Sequence, residues 1–307
     1  MSVSFCGLEL AHPVINGSGT FDAIAARKVF GEALDAEFPF AAYVSKTITV
    51  EPREGNPPPR LWEAPGGLIN SIGLPNKGLE RYIAEDLPEL SDLTGAAGRS
   101  GGEHRLVPLI TNVMGSSAEE FSRLVEACHE RPEIAAVELN VSCPNVKTGL
   151  DIGADPHQLQ EVVRSVRACT GKPLIVKLTP NTVDVAACAQ AAQDGGADAV
   201  SLINTLRAMA LAPGVRPRPP QPPQPWLGAG TGGLSGPAVR AIALAQVAAV
   251  AARVSIPVVG MGGVQSAAHA RDLIEVGATL VAVGTESFRD PAAGARIARE
   301  LGAASIC

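Results

Sequence analysis

Aromatic side chains are scarce in this chain of 307 residues: they make up 4% of it, and most of the apolar content is aliphatic or alanine. This composition favours an α/β protein with a core of Val, Ile, Leu and Ala over an aromatic-rich binding module. Runs of basic residues are also lacking, and the net charge is −6. The chain therefore has no basic stretch of the kind that predicts binding to nucleic acid or to an anionic membrane.

Segments for export or membrane insertion are equally hard to find. No lysine or arginine precedes Arg27, so a signal peptide with a basic start is not expected. The longest apolar helical stretch, 241–252, contains Gln246 and is too short to span a bilayer. We therefore expect a soluble, cytoplasmic protein.

None of the six cysteines is spaced as C-x-x-C, so neither an iron–sulfur cluster nor a structural zinc is expected within this chain. Cys128, Cys169 and Cys188 lie beside alanine and valine in helix-like segments, and we expect them to be small buried apolar side chains. No histidine lies where a strand is predicted to end, so a histidine base or a metal site has little support.

The chain contains many short apolar runs that have the length of β-strands. Most are nearly continuous, as expected for strands buried on both faces, and helix-like segments follow them. Eight such alternations predict an α/β fold, a (β/α)8 TIM barrel in a single domain over 1–307, rather than the runner-up, a doubly wound sheet. The predicted strands are 13–16, 41–49, 106–113, 135–141, 173–178, 199–204, 256–261 and 280–284, and the clearest helices are 117–129, 157–170, 183–195, 236–253, 266–277 and 290–301.

Two long connections, 50–77 and 206–234, interrupt the alternation and predict long loops at the C-terminal face of the barrel. The second contains seven prolines between positions 213 and 225, which favours an excursion of the chain over a polyproline binding site. Its Gly-Ala-Gly-Thr-Gly-Gly run at 228–233 matches a dinucleotide-binding pattern. That pattern must follow a strand, and here it follows a Pro-Gln-Pro-Trp segment, so we reject it.

Cys143 follows the predicted strand 135–141 and lies between Asn140 and Asn145. In a barrel, the loops at the carboxyl ends of the strands carry the chemistry. A thiol with a pKa of about 8.5 acts as a base only where its surroundings favour the thiolate. The position of Cys143, between two amides that could fix a polar ligand, makes it the best candidate for a catalytic base.

Glycines end the last two predicted strands and indicate an anion site. Gly262-Gly263 lead through Ser266 into a helix, and Gly284 precedes Thr285. Glycine lets an anion approach backbone N–H groups, and a helix N-terminus adds favourable charge. A flavin, a sugar phosphate or pyridoxal phosphate would all suit such a clamp.

Two lysines, Lys46 and Lys177, also lie at predicted strand ends. An aldolase-like Schiff base is one interpretation, and electrostatic support of an anionic substrate or ring is the other. Amides and a cysteine lie at neighbouring strand ends, which favours the electrostatic role for these lysines. The amides form a rim of neutral donors and acceptors that suits a flat heterocycle: the loop 70–76, with Asn112, Asn140, Asn145, Asn204 and Thr205.

Taken together, these motifs resemble those of class 1 dihydroorotate dehydrogenases, flavin-dependent barrels of pyrimidine synthesis, and the resemblance covers nearly the whole chain. The cysteine motif combined with the NSIGL loop is its most specific part. The motifs are GSGTF at 17–21, SKTITVEPREGNPPPR at 45–60, NSIGLPNKG at 70–78, ELNVSCPNVKTG at 138–149, INT at 203–205, GGLSGPA at 232–238, GMGG at 260–263 and VGTE at 283–286.

The resemblance implies FMN as cofactor and the oxidation of (S)-dihydroorotate to orotate. Cys143 would remove a proton from the ring carbon next to the one that gives hydride to the flavin. The implied cofactor residues are Ser18, Lys46, Thr47, Asn112, Asn140, Lys177, Ile203, Gly236, Gly262, Gly263, Gly284 and Thr285. The implied substrate residues are Lys46, Asn70, Ser71, Ile72, Gly73, Leu74, Asn140, Asn145, Asn204 and Thr205.

Within class 1, the segments after Cys143 and around GGLSGPA resemble the NAD-linked 1B subclass, which implies a partner subunit carrying FAD and an iron–sulfur cluster, and a homodimeric core. The fumarate-using subclass stays open. Leu150 stands where the family usually has a second glycine, and the family usually has a further glycine near the position of Ala208. Two other functions also stay open: a dihydropyrimidine dehydrogenase-like barrel acting on uracil or thymine, and a non-catalytic subunit that binds flavin or a phosphate metabolite.

Overall fold

The computed structural model describes residues 2–95, 107–141, 152–214 and 224–303. Its strands are β1 Val3–Phe5, β2 Leu8–Leu10, β3 Val14–Asn16, β4 Tyr43–Val44, β5 Leu61–Ala64, β6 Gly67–Asn70, β7 Leu109–Val113, β8 Ile134–Asn140, β9 Leu174–Lys177, β10 Ala199–Leu202, β11 Leu206–Ala208, β12 Gly232–Ser235, β13 Val258–Met261 and β14 Leu280–Val283. Its α-helices are α1 Ala23–Phe30, α2 Glu32–Ala36, α3 Leu79–Arg81, α4 Leu87–Thr94, α5 Ala118–His129, α6 Pro156–Arg167, α7 Val185–Asp194, α8 Arg240–Ala251, α9 Ala267–Glu275 and α10 Ala293–Ala303. None of the helices within these ranges has both the length and the apolar character needed to cross a membrane.

Eight parallel strands form the central sheet in the order β3-β14-β13-β10-β9-β8-β7-β4. Each overlaps one of the eight predicted strands, and α5 to α10 overlap the six predicted helices. The (β/α)8 barrel is therefore confirmed, and the doubly wound sheet is not the fold of this chain.

The barrel closes between β3 and β4 through the side chain of Asn16. Its Oδ1 accepts from the backbone N of Val44 at 2.8 Å, and its Nδ2 donates to the backbone O of Val44 at 2.8 Å. One main-chain bond, from Ala41 N to Val14 O at 2.9 Å, joins the same two segments. The amide side chain therefore takes the place of backbone hydrogen bonds between the two strands, and it provides partners for the buried N–H and C=O of Val44.

Replacing Asn16 with alanine should destabilise the protein. The change leaves the N–H and C=O of Val44 without partners in a fully buried position, which should lower the free energy of unfolding by about 2–5 kcal/mol. Urea denaturation measures this change. Gln158→Ala, on the exposed face of α6, is the control and should shift stability by less than about 0.5 kcal/mol; a similarly small loss for Asn16→Ala would contradict this account of closure.

The lower part of the barrel interior is apolar. The β1–β2 hairpin covers the amino-terminal end of the strands, and Phe5 and Leu10 pack with inward residues such as Ile110, Ile175 and Val259. Polar side chains begin above this layer, where Asn112, Glu138 and Ser201 are buried. The interior is therefore closed at the bottom and polar toward the carboxyl ends of the strands, where the chemistry of such barrels lies.

The two long connections contribute strands that the sequence analysis did not predict. They pair with each other in a four-stranded antiparallel sheet of order β11-β12-β6-β5. The rings of Trp62 and Trp226 make an edge contact there, with centroids 5.4 Å apart. The glycine-rich run 228–233 leads into β12 and opens no helix after a strand. Most of the proline tract, 215–223, lies outside the described residues.

Candidate active site

A cavity of about 760 Å³ occupies the carboxyl-terminal mouth of the barrel, between the strand ends and the four-stranded sheet. Its walls come from segments that are far apart in the sequence. Of the residues singled out above, the cavity is lined by Ser18, Lys46, Thr47, Asn70, Ile72, Gly73, Leu74, Asn140, Lys177, Ile203, Asn204, Thr205, Gly236, Gly262, Gly263, Gly284 and Thr285.

One end of the cavity is a glycine cradle. A methyl group added to Gly263 would lie 3.0 Å from the carbonyl oxygen of Gly236, and one added to Gly262 would lie 2.6 Å from Cβ of Ala243. Both glycines have positive φ angles, of +69° and +133°. The backbone at this end therefore needs glycine both for its conformation and for its close packing.

The next loop completes the cradle. Gly284 has only Thr20 Cγ2 near its Cβ position, at 3.8 Å, so its cavity side stays open. Thr285 Oγ1 donates to Ser235 Oγ at 2.8 Å and joins the segment after β14 to the end of β12. Helix α9 begins just beyond Gly263, with Ser266 accepting from the backbone N of His269. Open glycine backbone, hydroxyls and a helix N-terminus together fit a phosphate group.

Lys46 and Lys177 approach the cavity from β4 and β9. Lys177 is 6% exposed, whereas Lys46 is exposed. Within the described residues, neither ammonium group has a hydrogen bond or an ion pair. Since a buried ammonium without a partner is costly, Lys177 in particular is placed to meet an anionic ligand.

A chain of polar contacts runs along the wall near Lys46. Asn140 Nδ2 donates to Thr47 Oγ1 at 3.4 Å, and the hydroxyls of Thr47 and Ser18 are 3.4 Å apart. The Ser18 hydroxyl donates to the backbone O of Ser45 at 2.8 Å. This chain orients Asn140 and the loop that carries Lys46 toward the cavity.

The loop that follows β6 forms the opposite wall. Asn70 Nδ2 donates to the backbone O of Gly233 at 3.3 Å, which ties the loop to β12. Gly73 and Leu74 have φ angles of +76° and +55°. The amide of Asn204 accepts from the backbone N of Thr205 at 2.8 Å on the neighbouring loop. The predicted rim of amides is therefore assembled around one space.

Two of the predicted residues do not line the cavity. Ser71 is fully buried, and its hydroxyl accepts from Asn56 Nδ2 at 2.9 Å. Asn112 is also fully buried; its Nδ2 donates to Glu138, and none of the described residues is a hydrogen-bond partner of its Oδ1. Their direct roles in binding stay predictions.

Cys143 and Asn145 lie outside the described residues, so their predicted roles also stay predictions. Burial raises the pKa of Cys128 to about 12. Burial and then the charge of Asp198 raise the pKa of Cys6 to about 11, so neither thiol supplies a thiolate near neutral pH. Cys128 and Cys188 are buried as predicted, whereas Cys169 is only partly buried, since it lies just past the end of α6.

Other lining residues were not predicted: Thr20, Ser235, Gln265, Glu286 and Arg289. Ser235 and Gln265 lie within two positions of glycines that were singled out, so the same strand-end rule could have found them. Gln265 Nε2 donates to Glu286 Oε2 at 2.8 Å, a contact between two loops that no local pattern signals.

Comparison with known proteins identifies the family of this chain. A family model described as "Dihydroorotate dehydrogenase" matches residues 1–304. The chain belongs to the dihydroorotate dehydrogenase family. Members of this family are flavin-dependent oxidoreductases.

Three curated members of the family are similar to this chain over almost its full length. They come from Pelobacter propionicus (44% identical), Geotalea uraniireducens (43%) and Citrifermentans bemidjiense (42%). Each match spans 302 residues, 98% of this chain and 92% of the relative. Each relative is named dihydroorotate dehydrogenase B (NAD(+)), catalytic subunit.

Proposed function

We propose that this chain oxidises (S)-dihydroorotate to orotate in de novo pyrimidine synthesis, with bound FMN as the hydride acceptor. The observation that carries the proposal is a cavity that joins a phosphate-sized glycine cradle to a rim of amides and to two lysines whose ammonium groups have no partner among the described residues. The names of the curated relatives support the substrate, because the match to them covers 98% of the chain.

The cradle fits the cofactor's phosphate. Backbone N–H groups of the loops after β13 and β14 would bind it, and Gly236 leaves room for this approach. Lys177 would stabilise negative charge on the ring, which when bound supplies the acceptor for hydride. The remaining contacts to the cofactor would come from Ser18, Lys46, Thr47, Asn112, Asn140 and Ile203, and the phosphate contacts from Gly262, Gly263, Gly284 and Thr285.

The substrate would lie between the amide rim and the ring. The Lys46 ammonium would pair with the substrate carboxylate, a group that uracil lacks. Cys143 would take a proton from the ring carbon next to the one that loses hydride, so that one proton and one hydride leave as the double bond forms. The other contacts would come from Asn70, Ser71, Ile72, Gly73, Leu74, Asn140, Asn145, Asn204 and Thr205.

Electrons must then leave the site. The relatives are named as NAD(+)-type catalytic subunits, which supports a separate electron-transfer subunit. We propose that this partner carries FAD and an iron–sulfur cluster and passes the electrons to NAD. The homodimeric core, the single domain over 1–307 and the cytoplasmic location stay predictions.

The first test uses the purified protein without its partner. We expect a yellow protein that binds FMN and loses its flavin absorbance when dihydroorotate is added without oxygen. Dihydrouracil, which lacks the carboxylate, serves as the control and should bleach the flavin far more slowly. A colourless protein that fails to take up FMN would contradict the proposal, and bleaching by dihydrouracil alone would favour a dihydropyrimidine dehydrogenase-like activity.

A further inference from the structure

The barrel interior holds two buried side chains of opposite formal charge. Across the described ranges, Glu138 at 4% exposure and Lys177 at 6% are the members of the Asp, Glu, Lys and Arg set that are buried. Lys177 lines the cavity, whereas Glu138 does not. Glu138 is the first residue of the motif at 138–149, but the sequence analysis gave it no role, because it lies inside a strand and not at a strand end.

The two residues lie on neighbouring strands, about one layer apart. Glu138 of β8 pairs in register with Ile175 of β9, and Lys177 is two positions further along the same face. This spacing puts the two Cα atoms about 8 Å apart, from a rise of about 3.3 Å per residue and a strand separation of about 4.8 Å.

Two neutral donors, one on β10 and one on β7, hold the Glu138 carboxylate. Its Oε1 accepts from Ser201 Oγ at 2.7 Å, and Ser201 is the register partner of Lys177 on β10. Its Oε2 accepts from Asn112 Nδ2. Since no described residue donates to Asn112 Oδ1, the carboxylate is the one group of the described chain that orients this amide.

Both of these donors are neutral, so they leave the charge of the carboxylate uncompensated. No cationic group of the described chain lies within 4.0 Å of it, and the Lys177 ammonium likewise has no ionic partner there. Buried charges persist when an opposite charge offsets the loss of water. At the roughly 8 Å between the two Cα atoms and an effective dielectric constant of about 20, the attraction changes an equilibrium by between one and two orders of magnitude.

We propose that Glu138 is a positioning residue of the flavin site: its buried carboxylate is the counter-charge of Lys177. It keeps the ammonium at the floor of the cavity and offsets part of the positive potential that the ammonium exerts on the bound ring. The inference rests on the proposed function, since it assigns Glu138 to the site that would bind FMN.

Sulfite is a suitable probe, because its addition to an oxidised flavin leaves negative charge on the ring and removes the yellow absorbance without any turnover. Glu138→Gln has nearly the same size and removes the negative charge. In the FMN-loaded variant we expect the affinity for sulfite to rise about tenfold or more, because the positive potential of Lys177 is no longer offset. Glu138→Asp, which restores the charge, should return the affinity to within about threefold of the unmodified protein.

Two further variants serve as comparisons for this result. Lys177→Met should weaken sulfite binding, the opposite direction. Glu126→Gln, on the exposed face of α5, makes the same chemical change far from the site and should leave sulfite binding unchanged. A merely structural role for Glu138 predicts a lower melting temperature and flavin content with unchanged sulfite affinity in the loaded fraction.

The outcomes separate the two proposals. Unchanged or weaker sulfite binding by FMN-loaded Glu138→Gln overturns the role of Glu138, whereas failure of the unmodified protein to bind FMN overturns the proposed function itself. If Glu138→Gln does not fold, a crystal structure of the FMN-loaded unmodified protein decides the question. We expect Glu138 to be the protein carboxylate nearest to Lys177 Nζ, and a nearer carboxylate from any other residue overturns the inference.

Discussion

Replacing Cys143 with alanine should slow the reduction of bound FMN by dihydroorotate by roughly two to four orders of magnitude, the usual effect of losing a positioned base. FMN content should stay the same, because Cys143 is not among the proposed cofactor contacts. Stopped-flow absorbance at saturating dihydroorotate, without oxygen, measures the reduction step directly. The substrate still binds through Lys46 and the amides, so the loss should appear in the rate constant and hardly in the affinity.

Cys169→Ala is the matched control for this experiment. Cys169 lies outside the cavity, and its thiol donates to the backbone O of Ser165 at 3.5 Å, so its removal should leave the reduction rate unchanged. Equal reduction rates for Cys143→Ala and the unmodified protein would remove Cys143 from the mechanism. A parallel loss of flavin from Cys143→Ala would instead indicate that the cysteine loop supports the cofactor.

The barrel was predictable because its strands are short apolar runs and its helices carry local end signals. Ser117 illustrates this: its hydroxyl accepts from the backbone N of Glu120 at 3.3 Å and caps the start of α5, as serine commonly does at a helix N-terminus. Strand ends follow from the same pattern, which is why Lys46, Lys177 and the paired glycines were found without a structure.

Contacts between distant segments were not predictable in this way. The small sheet pairs Leu234 with Ile69, and neither segment shows a strand signal by itself. The predicted strand 41–49 is only Tyr43–Val44, because the chain from Ser45 bonds to β7 at irregular intervals: Ser45 N to Ile110 O, and Ile48 N to Asn112 O. The role of Glu138 was missed for a similar reason, because the groups that donate hydrogen bonds to its carboxylate lie on two other strands.

Replacing Lys46 with methionine should raise the dissociation constant for orotate about 10- to 100-fold, the effect of losing a hydrogen bond to a charged group. Lys46 is an exposed side chain on the cavity wall, and no described residue pairs with its ammonium, so its charge is available to a ligand carboxylate. Methionine keeps the length of the side chain and removes the charge. Titration of FMN-loaded protein with orotate, followed by the perturbation of the flavin spectrum, measures the change.

Lys28→Met, on the exposed face of α1, controls for the loss of one positive charge from the surface and should not alter orotate binding. The weak reaction with dihydrouracil should be affected far less by Lys46→Met, because that substrate offers no carboxylate for Lys46 to bind. Equal weakening for both substrates would mean that Lys46 acts on the ring or on the flavin. In that case the substrate carboxylate would have to be held elsewhere on the rim, and the charge argument for dihydroorotate over uracil would fail.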